Sequence, residues 1–406
     1  MNMTRLLALT CLFTLPAAAQ DWPADLGNGT GIIDAKIRTN WNDEAPKVLW
    51  KKDIGKGCTS WAIVDDRAVV IGNDDDQDTV WCFDAGTGNV IWKHSYAEKL
   101  SPKLYEGGPN ATPTIDDGLV YTLSKTGKLF CLDFATGDVK WQKHLKDDFD
   151  GKAPDWGYSA PPWVDGDNLI VLPCSRKGSA MYVLDKKTGK TNWKTDNVAR
   201  SGYTQPVIIE HKGTRAALVF HGRRAVCYDI EKDKGKILFE HGWRTSYDVN
   251  ASNPQYLDGH VFMASGYGMG YCVIDATGRE PKVLHKDEDT RLIFQNSLQI
   301  DGDIIAVFGD KNIDAELIRM DLKSGKVRWK QSMPGTRGSS IMVGDHLVIL
   351  SETGDMIVGE AGKTGWRELG RTKPLAKRCW SYLAYSNGRI FARNNDGQAV
   401  VLDVAP

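Results

Sequence analysis

The sequence predicts an all-β fold: an eight-bladed β-propeller of four-stranded antiparallel blades, closed by an N-terminal strand that completes the last blade, with seven blades as the alternative count. Three observations carry this reading. One turn-and-strand frame recurs along the chain, tight-turn dipeptides separate short alternating apolar runs, and the two chain ends hold complementary parts of one repeat.

The frame is seen in four clear copies: Asp84 to Trp92, Asp133 to Trp141, Asp185 to Trp193 and Asp321 to Trp329. Each reads Asp-x-x-Thr/Ser-Gly-x-x-x-Trp, with Thr87, Thr136, Thr188 or Ser324 ahead of Gly88, Gly137, Gly189 or Gly325. An aspartate closing a strand bonds the turn backbone, the hydroxyl reinforces it, and glycine takes the left-handed position. The tryptophan then sits on the returning strand and faces the neighbouring sheet.

Weaker copies fill the gaps. Asp229 to Gly235 is a lengthened turn with Phe239 in the tryptophan position. Asp275 to Gly278 keeps the turn, but Pro281 disrupts the returning strand and that unit ends near Leu284 without an aromatic. Thr364-Gly365 is succeeded by Leu369 at the same spacing. Asp116-Asp117-Gly118, Asp165-Gly166, Asp258-Gly259, Asp301-Gly302, Gly344-Asp345 and Asn387-Gly388 mark tight hairpins between apolar runs upstream of these turns. One repeat is thus a four-stranded sheet of roughly 38 to 52 residues, the size of a propeller blade.

Seven turn-plus-strand units end near Trp92, Trp141, Trp193, Phe239, Leu284, Trp329 and Leu369. An eighth starts at Tyr382 and runs out at Asp403 without its last strand, while Lys47 to Lys51 reads as such a strand without a turn before it. Pairing the two joins the ends and removes two open edges.

The first residues address the chain to export. Arg5, an apolar run from Leu6 to Leu15, Pro16 and Ala17-Ala18-Ala19 form a signal peptide with cleavage expected after Ala19. Cys11 lies inside the apolar run rather than at its end, which argues against lipidation. The expected organisation is a signal peptide over 1–19, an N-terminal extension over 20–46 and one propeller over 47–406, periplasmic or secreted. No later run approaches the roughly 20 apolar residues of a membrane helix. The net charge of −1, with both signs interspersed, excludes a basic nucleic-acid surface. The 41 glycines and 14 tryptophans fit many turns and many short strands.

The Asp-x-x-Thr-Gly-x-x-x-Trp frame resembles the tryptophan-docking motif of the pyrroloquinoline-quinone (PQQ) repeat superfamily, over residues 47–406. Two occupations are implied by that resemblance. One is a quinoprotein alcohol dehydrogenase using PQQ and calcium. The other is the non-catalytic propeller of the outer-membrane β-barrel assembly machinery, alongside bacterial propellers described only as PQQ-binding-like. In the dehydrogenases the quinone lies between a tryptophan and a disulfide of adjacent cysteines; this chain has no Cys-Cys pair. No cofactor is therefore expected, and the favoured function is an exported binding or scaffold protein, with a PQQ- or metal-dependent oxidoreductase of alcohols or sugars as the alternative.

Other chemical signals are sparse. Cys82, Cys131 and Cys227 each precede a turn aspartate by two residues, as buried packing positions would. Cys58 and Cys379 precede the first strands of blades one and eight, which closure makes neighbours, so they are the candidate disulfide. The histidines lack zinc-site spacing, and Asp74-Asp75-Asp76-Gln77-Asp78 reads as a solvated hairpin tip rather than a calcium loop.

The positional signal is stronger. Loops leading into the first strand of every blade converge on one mouth of the central channel. They bring Trp61, Glu106, Trp156, Tyr158, Arg200, Tyr203, Arg244, Tyr247, Asp248, Asn250, Gln295, Asn296, Arg337, Arg378 and Trp380 to one level. Aromatics, arginines and amides so gathered suit an envelope protein, a peptide or a small ligand, bound by stacking and charge-assisted hydrogen bonds. No metal ligands or catalytic residues are expected among them.

Overall fold

The computed structural model describes residues 20–175 and 177–406; the expected signal peptide lies outside the described residues. Eight antiparallel sheets succeed one another around a central channel, seven of four strands and one of five. Blades one to seven span residues 62–97, 114–144, 163–194, 207–242, 255–287, 298–332 and 338–372. The eighth combines Ala384–Ser386, Arg389–Arg393 and Gln398–Asp403 with Lys47–Asp53 as its outer strand. Lys47 pairs with Asp403 and Asp53 with Gln398, so the ring shuts as the two chain ends predict.

Within each blade the middle strands are buried on both faces between neighbouring sheets. Asp303–Asp310 is buried at every position, and Arg67–Asp74 at all but its ends. Such strands carry unbroken apolar runs such as Ala68-Val69-Val70-Ile71, whereas the outer strands alternate. The fourth strand carries a β-bulge in register at the same place in all eight blades, as at Cys82/Phe83 opposite Trp92 and Val401 opposite Trp50. The extra residue turns the aromatic toward the next blade.

The docking itself explains the sequence frame. Trp50, Trp92 and Trp141 lie on Gly88, Gly137 and Gly189 of the next blade, where an added Cβ would come within 2.7–2.9 Å of the indole. Their indole N–H groups donate to Ala85 O (3.0 Å), Phe134 O (2.9 Å) and Lys186 O (3.1 Å) in the same turns. Glycine is thus required twice over, by its positive φ of 68–79° and by the ring upon it.

Two degenerate blades are completed in ways the spacing does not reveal. In blade five the docking position is His285, one residue beyond Leu284; its ring lies on Gly325, and Tyr271 OH both meets His285 Nε2 at 3.1 Å and donates to Gly325 O. In blade seven it is Gly370 rather than Leu369, and the space is filled by Trp41, whose Cβ lies 2.8 Å from where a Gly370 Cβ would stand.

Trp41 belongs to the segment before the closing strand, which threads the channel. Trp22 exchanges two backbone hydrogen bonds of 2.7 Å with Ile63 of blade one, and Pro23 O accepts from Ile115 N of blade two. Ile32–Ile33 then pairs in parallel with Met342–Val343, adding a fifth, innermost strand to blade seven. Arg38 N donates to Val404 O before the chain turns outward at Trp41, which is 2% exposed.

Candidate functional site

The threaded segment floors a cavity of about 190 Å³ that opens at the predicted mouth. Loops from seven of the eight blades contribute lining residues, from Cys58 before blade one to Trp380 and Tyr382 before blade eight. Hydrogen bonds stitch the loops together: Trp380 Nε1 donates to Glu352 (2.8 Å), Tyr382 OH to Phe294 O (2.6 Å) and Asn395 Nδ2 to Glu106 (2.9 Å).

Of the residues predicted there, Trp156, Tyr203, Asn296 and Trp380 line the cavity. Tyr247 stands over the rim, edge-on to Trp156 at 5.9 Å. Arg337 and Arg378 lie against the Trp380 ring at 5.0 and 4.6 Å, and Arg378 is also paired with Glu106 at 3.2 Å. These residues build the wall from behind.

The others serve the scaffold. Trp61 is fully buried against Trp50 and Phe391, and Tyr158 donates to Pro173 O in the core between blades two and three. Asn250 is fully buried, binding His221 O and Trp243 O. Gln295 is buried with neither amide atom partnered. Arg200 pairs with Asp248 outside the cavity, and Arg244 is exposed away from its lining. Position in an inbound loop fixes height around the ring but not which way a side chain turns.

Tyr105 and Phe294, in loops that the repeat places at the mouth, line the cavity too, and sequence reasoning missed the floor and much of the wall: Asp25, Lys103, Thr112, Gln205, Tyr267 and Tyr382. Asp25 is 5% exposed and accepts one hydrogen bond, from Thr112 Oγ1 at 2.8 Å. Burial pushes its carboxyl up to about 6. Leu26, beside it, is held at φ 54° with its side chain buried, a left-handed conformation costly for leucine.

The expected Cys58–Cys379 bridge is not formed; both are free thiols. Their loops are anchored in opposite directions, Cys58 N to Pro109 O on the blade-two side and Cys379 N to Glu352 O on the blade-seven side. Cys82, Cys131 and Cys227 are fully buried, at the bulge positions opposite Trp92, Trp141 and Phe239. At the acidic hairpin Asp78 is buried rather than solvated, bound by Asn73 Nδ2 at 2.7 Å. Burial pushes its carboxyl up to about 7.

Between blades three and four the fold pairs Cys174, at φ 49°, with His221 Nδ1 at 3.5 Å; Tyr228 OH lies 3.0 Å from Nε2. Burial pushes the thiol up to about 12 and holds the imidazole down to about 3, so both are neutral and unreactive. The unfolded chain's histidine takes a proton below 6.5, and the folded one refuses it until about 3. Stability from this group is whole above that upper value and is lost as pH falls through the window. His221→Gln is expected to flatten the acid limb of unfolding midpoint against pH by about one proton; an unchanged limb would show that His221 is solvated.

A closed ring of eight four-stranded blades, docked by tryptophans onto Thr-Gly turns, defines the chain as a PQQ-like β-propeller. Residues 76–331 match the family described as outer membrane protein assembly factor BamB, and the chain belongs to that family. Among solved structures, BamB from Moraxella catarrhalis is 17% identical with a TM-score of 0.60, covering 88% of this chain and 97% of that one. Quinohemoprotein alcohol dehydrogenase from Comamonas testosteroni is 13% identical with a TM-score of 0.66, over 94% of this chain and 80% of that one. The computationally designed Ika8 protein is 12% identical with a TM-score of 0.61, over 88% of this chain and all (100%) of that one. At such identities these likenesses show the fold alone. No curated protein matched the chain. No helix among the described residues is long and apolar enough to cross a membrane.

Proposed function

We propose that this propeller is a non-catalytic binding protein of the cell envelope, holding a segment of a partner protein or peptide at the mouth of its ring. The observation that carries the reading is the blind cavity: residues 20–33 fill the channel from within, leaving an aromatic chamber open at one end. Family membership supports it, since the matching description is that of an assembly factor.

The residues do not suit the alternative, a quinone enzyme. PQQ bears several carboxylates, and the floor here is itself a carboxyl group, Asp25, with apolar rings around it. Among the described residues no group of three or more His, Cys, Asp or Glu side chains is placed to hold a metal ion. No step through a quinone can be drawn from this cavity.

The test is capture of partners from envelope extracts by the immobilised protein. Trp156→Ala removes a wall of the cavity and is expected to release the partners. Arg244→Ala, outside the lining, is expected to keep them. Equal capture by both variants would place binding elsewhere on the ring.

A further inference from the structure

We propose that the cavity takes a single basic side chain, a lysine ammonium or arginine guanidinium, seated on the Asp25 carboxylate between the surrounding rings. This rests on the mouth being the binding site and names the chemistry it reads.

Asp25 differs from the other deeply buried acids. Asp303 is bound by two arginines, Glu98 by Lys128 and Thr126, and Asp78 by Asn73 and Tyr96. Asp25 has only the Thr112 hydroxyl, on Oδ1; among the described residues no donor meets Oδ2 and no cation pairs with the group. An acid left so at the end of a cavity stabilises a complementary charge that arrives from outside.

The walls suit such a charge. Tyr105, Trp156, Phe294, Trp380 and Tyr382 present rings around the chamber; ring faces attract ammonium and guanidinium groups, and the first four already hold a cation of this chain, Lys125, Lys103, Arg337 and Arg378 among them. A further polar atom waits for a donor: Gln205 Oε1 has no partner among the described residues, although the side chain lines the cavity and is 2% exposed. Carboxylate and amide carbonyl oxygens are acceptors, and a lysine or arginine head brings only donors.

The rim selects what surrounds that side chain. Lys103 lies 5.1 Å from the Trp156 ring with no acidic partner among the described residues, whereas Arg337 and Arg378 behind Trp380 are already paired with Glu352 and Glu106. A basic residue with acidic neighbours matches both levels, charge against charge. Of the other titratable groups facing the floor, Tyr382 and Cys58 stay neutral, both held up by burial, Cys58 at about 12. Ionisation of Asp25, held at about 6, is therefore the titration to which binding is tied.

The experiment is calorimetric titration of the whole protein with capped Glu-Lys-Glu and Glu-Arg-Glu peptides, and with Glu-norleucine-Glu as the uncharged counterpart. The basic peptides are expected to bind at about pH 8 and about ten-fold more weakly at about pH 5, with the norleucine peptide weak at both. Asp25→Asn keeps the acceptor for Thr112 and removes the charge, so it folds at least as stably and loses about ten-fold in affinity. Lys103→Ala retains binding of capped lysine but weakens that of the acid-flanked peptide. Equal affinity for lysine and norleucine peptides, or an Asp25→Asn protein that binds lysine unchanged, overturns the proposal. Failure of the broader reading is separate: it shows as envelope capture that survives Trp156→Ala. Capture lost in Trp156→Ala but kept in Asp25→Asn leaves the mouth as the site and removes the basic side chain as its ligand.

Discussion

Asp303→Ala is expected to destabilise the protein by about 3–5 kcal/mol, because it strands a charge that the fold has buried. Asp303 is fully buried in blade six and accepts from Arg319 Nε and Arg328 Nε, each at 2.7 Å. Arg319 is 3% exposed, and its Nη1 reaches Ala361 O of blade seven at 2.6 Å. Without the carboxylate, a guanidinium remains between two sheets with one carbonyl to hold it. Arg328 is exposed enough to turn to water, so the loss falls on Arg319. The same argument predicts a rescue: Asp303→Leu combined with Arg319→Met removes both charges and recovers most of the stability, as isosteric apolar pairs do. Urea unfolding of the single and double variants measures both. A double variant as unstable as Asp303→Ala would show that the pair is needed for packing rather than neutrality.

How far the sequence announces this molecule depends on how local each interaction is. The turn frame is legible because aspartate, hydroxyl, glycine and tryptophan sit within nine residues and recur, and because a tryptophan needs a glycine beneath it. Ring closure is legible for a related reason, since an outer strand without a turn and three strands without a fourth are complementary. Trp41 is different. It stands in for the missing aromatic of blade seven from more than three hundred residues away in sequence, over Gly370, and no spacing connects the two. His285 is hidden by Pro281, which shifts the strand so that the docking residue falls seven after Gly278 rather than four.

The candidate site divides along the same line. Loops leading into the first strands are readable from the repeat, and they do form the cavity wall. Its floor is Asp25, in a segment over residues 22–33 whose sequence carries no strand alternation, because its backbone bonds are shared between local turns and blades one, two and seven. Asp25 is one of 52 acidic residues and carries no local mark. A signal was nonetheless available: Trp22, Leu26 and Trp41 are large apolar residues in a segment read as an extension, and an exposed extension has no use for them.

Trp50→Ala and Trp92→Ala are expected to cost alike, about 3–5 kcal/mol each, yet to fail differently. The two indoles are matched: each is 7% exposed, lies on a turn glycine and donates one hydrogen bond, of 3.0 and 2.9 Å. Trp92 spans blades one and two, which the chain joins covalently. Trp50 lies on the closing strand, which runs on into blade one, and the ring's non-covalent seam is inside blade eight: the pairing of Lys47–Asp53 with Gln398–Asp403, backed by the Trp50–Trp61–Phe391 cluster and Arg393. Arg393 donates to Ile71 O and Gly55 O of the joining segment, each at 2.7 Å. Loss of Trp50 therefore weakens a seam that can part without unfolding the other blades, leaving two unpaired sheet edges. Amide exchange in Gln398–Asp403 is expected to accelerate in Trp50→Ala well before global unfolding, together with concentration-dependent association. In Trp92→Ala the same strand should exchange only with the whole ring. Equal exchange of that strand in both variants would mean that the seam opens only when the entire propeller does, and that closure is no weaker than the covalent joints beside it.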